Sequence, residues 1–139
     1  MTDRYDLQRF IDAQEPVYDQ VTAELRRGRK RSHWMWFVFP QLRGLGSSLM
    51  AHLYGITGRE EAAAYASHPV LGARLRECTS LVLDVDGSTA SEIFGSPDDL
   101  KFRSSMTLFS LSADEPSLYL EALAKYFEGE KDALTVTRL

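Results

Sequence analysis

Cysteine and long apolar runs are scarce in this sequence of 139 residues. Cys78 is its only cysteine, so the chain cannot form an internal disulfide or a cysteine-rich zinc site, and a lone thiol suits a reducing compartment. The longest uninterrupted apolar stretch, residues 34–40, is far shorter than the ~20 residues that span a bilayer. The N-terminus also lacks the cationic start and apolar run of a signal peptide. We therefore expect a cytoplasmic protein without a membrane partner.

Standard catalytic signatures are missing as well. The sequence contains no Gly-x-Ser-x-Gly elbow, no phosphate-binding loop, no His-Glu-x-x-His pair and no dinucleotide fingerprint. Its three histidines are not closely paired, and no neighbouring residues supply the carboxylates or thiols of a metal site. We predict no metal and no cofactor, and whether the chain is an enzyme stays open.

The charges are unevenly distributed along the chain. The formal net charge is −4, but five of the sixteen basic residues lie between Arg26 and Arg31, a segment that we call the basic turn (residues 26–31). The rest of the chain is strongly acidic. Such a turn could attract a phosphate group or an acidic partner, whereas the acidic body should repel long nucleic acid. The simpler alternative is a solvated charged turn.

Apolar residues recur at helical spacing along most of the chain, and strand signals are nearly absent. Residues 69–85 show the pattern most clearly, Gly28 is a helix stop, and Thr89 and Glu92 have the spacing of a capping box. For residues 132–139 a helix is preferred over an edge strand. We predict an all-α fold, a compact single domain over residues 1–139 with about seven helices around a central aromatic segment.

That aromatic segment, residues 32–41, is one candidate site. Two tryptophans and a histidine fall within four positions, and both residue types combine a large ring with a polar group that can orient a base or a sugar. The segment is either extended or a short irregular helix. If it is extended, alternation puts Trp34 and Trp36 on one side. The alternative role for both tryptophans is core packing, with His33 bonded to a backbone carbonyl; His68, before a proline, is a candidate helix cap.

A second candidate lies in residues 98–107. Asp99, Arg103 and Thr107 are four residues apart and follow one edge of the predicted helix, with Lys101 and Ser104 on adjacent turns. The Ser-Ser-Met-Thr run is poor in helix formers, which favours a polar pocket wall. Alternatively, an Asp–Arg pair at this spacing merely stabilises a helix by about 0.2–0.5 kcal/mol.

Together the two segments suggest a site for a small nucleotide, ribose or phosphate-bearing ligand, which could also be hydrolysed there. The candidate ligand-binding residues are His33, Trp34, Trp36, Gln41, Asp99, Lys101, Arg103, Ser104 and Thr107. No catalytic residue is assigned. The alternative function is a non-enzymatic interaction module whose basic turn binds an acidic partner or nucleic acid. No oligomeric state is predicted.

Several motifs resemble a known bacterial family, the domain of unknown function numbered eighteen-ten, whose members are often labelled calpastatin. They are Ser-His-Trp-Met-Trp-Phe-Val-Phe-Pro-Gln at 32–41, Gly-Leu-Gly-Ser at 44–47, Ala-Ser-His-Pro-Val-Leu-Gly at 66–72, Ile-Phe-Gly at 93–95 and Asp-Leu-Lys-Phe-Arg-Ser-Ser-Met-Thr-Leu-Phe at 99–109. The resemblance implies a compact, mainly helical fold and no established activity. A fainter resemblance, around residues 69–75, Gly95 and Arg103, is to NAD- and ADP-ribose-associated N-glycosidase-like proteins, and it assigns no catalytic residue.

Overall fold

The computed structural model describes residues 3–139, and the first two residues of the predicted domain lie outside this range. Ten α-helices follow one another along it: α1 (Gln8–Gln14), α2 (Tyr18–Arg26), α3 (Met35–Val38), α4 (Leu49–Leu53), α5 (Arg59–Ser67), α6 (Leu71–Leu83), α7 (Ala90–Phe94), α8 (Asp98–Ser112), α9 (Ser117–Phe127) and α10 (Ala133–Arg138). The described residues form no strand, and an isolated parallel bridge joins Leu42 and Ile56. The predicted all-α class is confirmed. No described helix is both long and apolar enough to cross a bilayer.

The structure has more helices than the seven or so predicted, because several are single turns. α3 has 4 residues, and α4 and α7 have 5 each. Helices this short do not complete two turns, so the spacing of apolar residues in the sequence does not reveal them.

Local start signals were more reliable than the helix count. Thr89 and Glu92 form a full capping box at the start of α7. His68 caps α6, since its Nδ1 accepts hydrogen bonds from the backbone N–H groups of Val70 (3.1 Å) and Leu71 (3.3 Å). The interpretation of His68 as a helix cap is therefore confirmed, as is a C-terminal helix in place of an edge strand.

Residues 35–38 of the aromatic segment form a helical turn, so the extended arrangement was the wrong alternative. The backbone N–H of Phe39 donates to the carbonyl of Met35 (3.1 Å), which closes the single turn of α3. Because side chains on a helix do not alternate between two faces, Trp34 and Trp36 do not share one side. Trp34 is buried just before the helix, whereas Trp36 stays partly exposed.

Helix α8 joins this segment to the rest of the core. It packs against α3, α5, α7, α9 and α10. Phe102 on α8 stacks on Phe94, with ring centroids 4.7 Å apart, and meets Phe39 edge-on at 5.0 Å. These aromatic contacts bring the end of α3 against the first turns of α8. Apart from Ala90, the buried hydrophobic residues of the described chain belong to one cluster.

Candidate functional site

A small cavity lies between α3, α4 and α8. Its lining residues are Met35, Trp36, Phe39, Gln41, Ala51, Tyr54, Gly55 and Lys101. The space in it that a water molecule could occupy is about 10 Å³, close to the minimum that holds one water molecule. This cavity, which we call the Trp36 cavity, is therefore nearly filled by its own wall, and a larger molecule would contact it from its open side.

Trp36, one of the lining residues, carries a buried polar atom without a partner. Its Nε1 is buried, and no described residue accepts a hydrogen bond from it. An indole N–H can only donate, and leaving a buried donor unpaired costs about 1–3 kcal/mol. Trp36 thus presents a donor that lacks an acceptor within the described protein.

Lys101 provides a positive charge beside the same ring. Its Nζ lies 5.1 Å from the centre of the Trp36 ring and 3.5 Å from Oδ1 of Asp98. Asp98 is shared, because its Oδ2 lies 2.9 Å from Nζ of Lys30, whose side chain is only 7% exposed. Two ammonium groups therefore flank one carboxylate.

Gln41 contributes an amide whose side chain forms no hydrogen bond with a described residue. Its backbone is fixed instead, since its carbonyl accepts a hydrogen bond from the N–H of Ile56 (3.0 Å). The N–H of Arg43 donates in turn to the carbonyl of Ile56 (2.8 Å). These bonds hold the segment that follows α3 against the segment that follows α4, with the Gln41 side chain at the cavity.

The outer wall of the cavity depends on a glycine. A Cβ on Gly55 would lie 2.8 Å from the carbonyl oxygen of Ala51 and 2.7 Å from Cβ of Arg43, closer than real Cβ atoms approach. Only glycine permits this approach of α4 to the segment after α3. α4 itself has no buried residue, and its Leu49 is 71% exposed.

Trp34, although predicted to bind ligand, belongs to a buried polar network. Its Nε1 donates to Oε1 of Glu24 (3.0 Å), which also accepts from the backbone N–H groups of Arg31 (2.7 Å) and Ser32 (3.0 Å). The Ser32 hydroxyl donates to the other carboxylate oxygen (2.6 Å). Burial alone would raise the pKa of Glu24, but these hydrogen bonds outweigh burial and lower its pKa to about 2. This carboxylate anchors the end of the basic turn.

His33 lies outside the cavity lining. It is exposed and makes no hydrogen bond with a described residue, so the backbone-carbonyl bond considered for it does not form. The described residues contain no group of three or more His, Cys, Asp or Glu side chains that could hold a metal ion.

Most of the candidate residues on α8 form hydrogen bonds with the protein's own backbone. Arg103 donates from Nε to the carbonyl of Glu130 (3.0 Å) and from a terminal nitrogen to that of Lys131 (2.9 Å). It forms a salt bridge with Glu130 (3.3 Å), not with Asp99. The Thr107 hydroxyl donates to the carbonyl of Arg103 (2.8 Å) and accepts a hydrogen bond from the backbone N–H of Asp132 (2.9 Å). These contacts tie α8 to the segment before α10.

Two further α8 candidates bond within their own helix. The Ser104 hydroxyl donates to the carbonyl of Leu100 (3.1 Å), and Oδ1 of Asp99 accepts from the N–H of Leu100 (2.9 Å). The structure therefore brings Trp36, Gln41 and Lys101 together in one cavity, without the other candidates.

Sequence reasoning missed several residues of this site. Tyr54 and Gly55 carry no signal that places them opposite Trp36, because they reach it only through the fold of α4. Asp98 was not among the predicted site residues, and its pairing with Lys30 joins two segments that are far apart in the chain.

Comparison with known proteins identifies relatives but no activity. A family model described as "Protein of unknown function (DUF1810)" matches residues 4–139. A crystal structure of the conserved hypothetical protein Rv1873 from Mycobacterium tuberculosis is similar to this chain, with 58% sequence identity and a TM-score of 0.97. The match covers 99% of this chain and 98% of that protein. No curated protein matches significantly.

Proposed function

This chain belongs to the DUF1810 family, as its motifs predicted, and we propose that it binds a small ribose- or phosphate-bearing molecule at the open side of the Trp36 cavity. The observation that carries this proposal is the buried N–H of Trp36, which has no acceptor among the described residues. Folding tolerates the cost of such a group most readily where a ligand supplies the missing acceptor.

The composition of the cavity wall agrees with this function. Trp36, Phe39 and Tyr54 supply aromatic surface, on which a sugar ring can pack. Gln41 and Lys101 add two polar groups. Apolar walls with a few convergent polar groups are typical of small-molecule sites, in which the polar groups fix the orientation of the ligand.

The proposal is limited to binding, because Tyr54 and Lys101 are the only ionisable side chains among the lining residues. No histidine, cysteine, aspartate or glutamate is among the lining residues of the cavity. Asp98, the carboxylate that pairs with Lys101, also forms a salt bridge with Lys30. A hydrolytic step would need a base within hydrogen-bond reach of its substrate.

A thermal-shift titration tests the proposal with ribose 5-phosphate as the probe. A ligand at 100 times its Kd stabilises a fold by about 2.7 kcal/mol, which raises the Tm measurably. Replacement Trp36→Phe removes the unpaired N–H and should abolish or reduce the ligand-induced shift. Trp34→Phe is the matched control, because it changes the same residue type outside the cavity, and it should retain the shift. Equal shifts for wild type and Trp36→Phe would contradict the proposal.

A second candidate function rests on the basic turn. The side chains of Arg26, Arg27, Arg29 and Arg31 are exposed, and none of them forms an ion pair with a described residue. Lys30 differs, because its ammonium group forms a salt bridge with Asp98. Exposed guanidinium groups on an anchored turn suit bidentate contacts to carboxylates, so the partner proposed for this turn is an acidic protein segment.

A further inference from the structure

We infer that an open cleft beside the end of α4 binds the phosphate group of a small molecule. The charged residues and the histidine that line it are Arg4, Asp6, Arg9, Arg43, His52 and Glu61. The volume of this cleft, which we call the Arg9 cleft, is about 440 Å³, within the ~300–1,000 Å³ of typical ligand sites. No residue lines both this cleft and the Trp36 cavity, so the inference goes beyond the proposed function and does not depend on it.

Arg9 and Glu61 form a closed pair in the wall of the cleft. A terminal nitrogen of Arg9 donates to Oε2 of Glu61 (3.0 Å), whose side chain is only 2% exposed. The other N–H bonds of Arg9 donate to four backbone carbonyls, those of Tyr5, Asp6, Leu53 and Gly55. Oε1 of Glu61 accepts from the N–H (2.9 Å) and the hydroxyl (2.8 Å) of Thr57. The charges of Arg9 and Glu61 therefore compensate each other, and all five donors of this guanidinium are used.

The other charged groups of the cleft carry an excess of positive charge. Arg4 and Arg43 are exposed, and neither guanidinium forms a hydrogen bond or an ion pair with a described residue. The exposed imidazole of His52 is equally without such a partner. Asp6 is the one lining carboxylate besides Glu61. On a chain whose net charge is −4, a cleft with two free guanidinium groups and one free carboxylate attracts anions locally.

The hydrogen bonds of Arg9 also fix the segments that carry the two free guanidinium groups. Arg4 directly precedes Tyr5, whose carbonyl Arg9 binds, and the Arg4 guanidinium lies 5.4 Å from the centre of the Tyr5 ring. Arg43 lies against Gly55, the residue whose carbonyl also accepts from Arg9 (3.2 Å). The backbone around the cleft is thus held in place before a ligand arrives, which lowers the entropic cost of binding.

The number of donors favours phosphate over carboxylate. One guanidinium can satisfy both oxygens of a carboxylate through two parallel hydrogen bonds. Arg4, Arg43 and His52 come from three segments of the chain, so a shared ligand needs more acceptors than a carboxylate has. A phosphate monoester offers three acceptor oxygens and a charge of about −1.5 to −2 at pH 7. The side chains of Tyr5 and Leu53, which also line the cleft, provide apolar surface for the organic part of the ligand.

Isothermal titration calorimetry with three related ligands tests the inference. Glycerol 3-phosphate carries the phosphate, glycerate carries a carboxylate on the same three carbons, and glycerol is the neutral ligand. We expect glycerol 3-phosphate to bind about tenfold or more tightly than glycerate, and glycerol to show no binding. The affinity for glycerol 3-phosphate should fall as salt is added, since the two guanidinium groups are exposed.

Variants of single arginines locate the ligand in the cleft. Arg43→Met removes a guanidinium and keeps a long side chain, so it should weaken glycerol 3-phosphate binding about tenfold or more, whereas Arg43→Lys, which keeps the charge but loses the fork, should be intermediate. Arg76→Met is the matched control and should bind like wild type. Arg76 is an exposed arginine on α6 that forms no ion pair with a described residue and lies outside the cleft lining. Thermal melting verifies that each variant is folded.

Two further variants separate the Arg9 cleft from the other candidate sites. Both Trp36→Phe and the double variant Arg27→Glu, Arg29→Glu should bind glycerol 3-phosphate like wild type. Loss of binding in either one, with Arg43→Met unaffected, would move the phosphate to the Trp36 cavity or to the basic turn and overturn the inference. Glycerate binding as tight as that of glycerol 3-phosphate, or no binding of glycerol 3-phosphate, would also overturn it. Neither of these last two results bears on the proposed function, which the Trp36→Phe comparison with ribose 5-phosphate tests separately.

Discussion

The ammonium group of Lys101 lies over the indole ring of Trp36, with its nitrogen 5.1 Å from the ring centre. This contact joins the short helix α3 to the first turns of α8, two segments that are far apart in the sequence. It places a cation over the indole ring whose N–H has no acceptor among the described residues. The proposed binding site is built around this pair.

The two tryptophans should differ in their contributions to stability. Trp34→Phe removes the hydrogen bond to the buried Glu24 and should lower the free energy of unfolding by about 1–3 kcal/mol. Trp36→Phe removes a donor that is already unpaired, so its cost should be smaller. Urea unfolding of both variants measures the difference. A larger loss for Trp36→Phe than for Trp34→Phe would contradict these roles.

Acid should destabilise the fold partly through Glu24. Its pKa is about 2 in the folded protein against an ordinary value of 4.5, so its contribution is complete above pH 4.5 and is lost as the pH falls toward 2. At 1.36 kcal/mol per pH unit this contribution is about 3 kcal/mol. Urea unfolding between pH 6 and pH 2 should show that loss. Glu24→Gln should be less stable at neutral pH and less sensitive to acid, and an equally steep acid loss in this variant would contradict the prediction.

Cys78 should be unreactive in the folded protein. The residue is fully buried, and this burial raises the pKa of its thiol to about 12, although a hydrogen bond with Tyr18 works in the opposite direction. Because the thiolate is the reactive form, a disulfide reagent at pH 8 should label Cys78 only after denaturation. Rapid labelling of the native protein would contradict this prediction.

The wall of the Trp36 cavity should depend on Gly55. Gly55→Ala forces a Cβ against the Ala51 carbonyl and Cβ of Arg43, so it should lower the free energy of unfolding by about 1–3 kcal/mol and weaken ribose 5-phosphate binding. Gly58→Ala is the matched control, because nothing lies within 4 Å of the added Cβ. Chemical unfolding and calorimetry measure the two effects. Equal behaviour of the two variants would show that the close approach at Gly55 is unimportant.

The basic turn should bind acidic segments in a salt-dependent manner. Fluorescence anisotropy of a labelled poly-glutamate peptide should report binding at low ionic strength that weakens as salt is added. The double variant Arg27→Glu, Arg29→Glu should lose it, whereas Arg4→Glu, at an exposed arginine outside the basic turn, should not. Lys30 is unsuitable for this test, since its reversal would break the buried pair with Asp98. Absence of peptide binding at low salt would contradict the second candidate function.

Prediction from the sequence worked where the signals were local. The capping box at Thr89 and the cap at His68 depend on residues within three positions of each other, so the sequence alone specifies them. The extended interpretation of residues 34–39 failed because a short run of bulky apolar residues has no readable period. Its helical turn is a consequence of packing against α1, α6 and α8.

The candidate site was predictable only in part, for a related reason. Trp36, Gln41 and Lys101 stood out as residue types, but their meeting depends on the aromatic contacts between Phe39 and Phe102. The role of Trp34 could not be predicted from the sequence. Its partner Glu24 lies on α2, where no sequence signal distinguishes this glutamate from the other polar residues of an amphipathic helix. Side-chain chemistry is local, whereas the pairing of distant side chains is decided by tertiary packing.

The central claim is that the Trp36 N–H receives its acceptor from a ligand, and nuclear magnetic resonance tests this most directly. The chain has two tryptophans, so an ¹⁵N-labelled sample gives two indole N–H signals, which Trp36→Phe assigns. On titration with ribose 5-phosphate, the account predicts a saturable shift of the Trp36 signal and little change in that of Trp34, whose N–H is already bonded to Glu24. An unchanged Trp36 signal at saturating ligand, or a shift confined to Trp34, would contradict it.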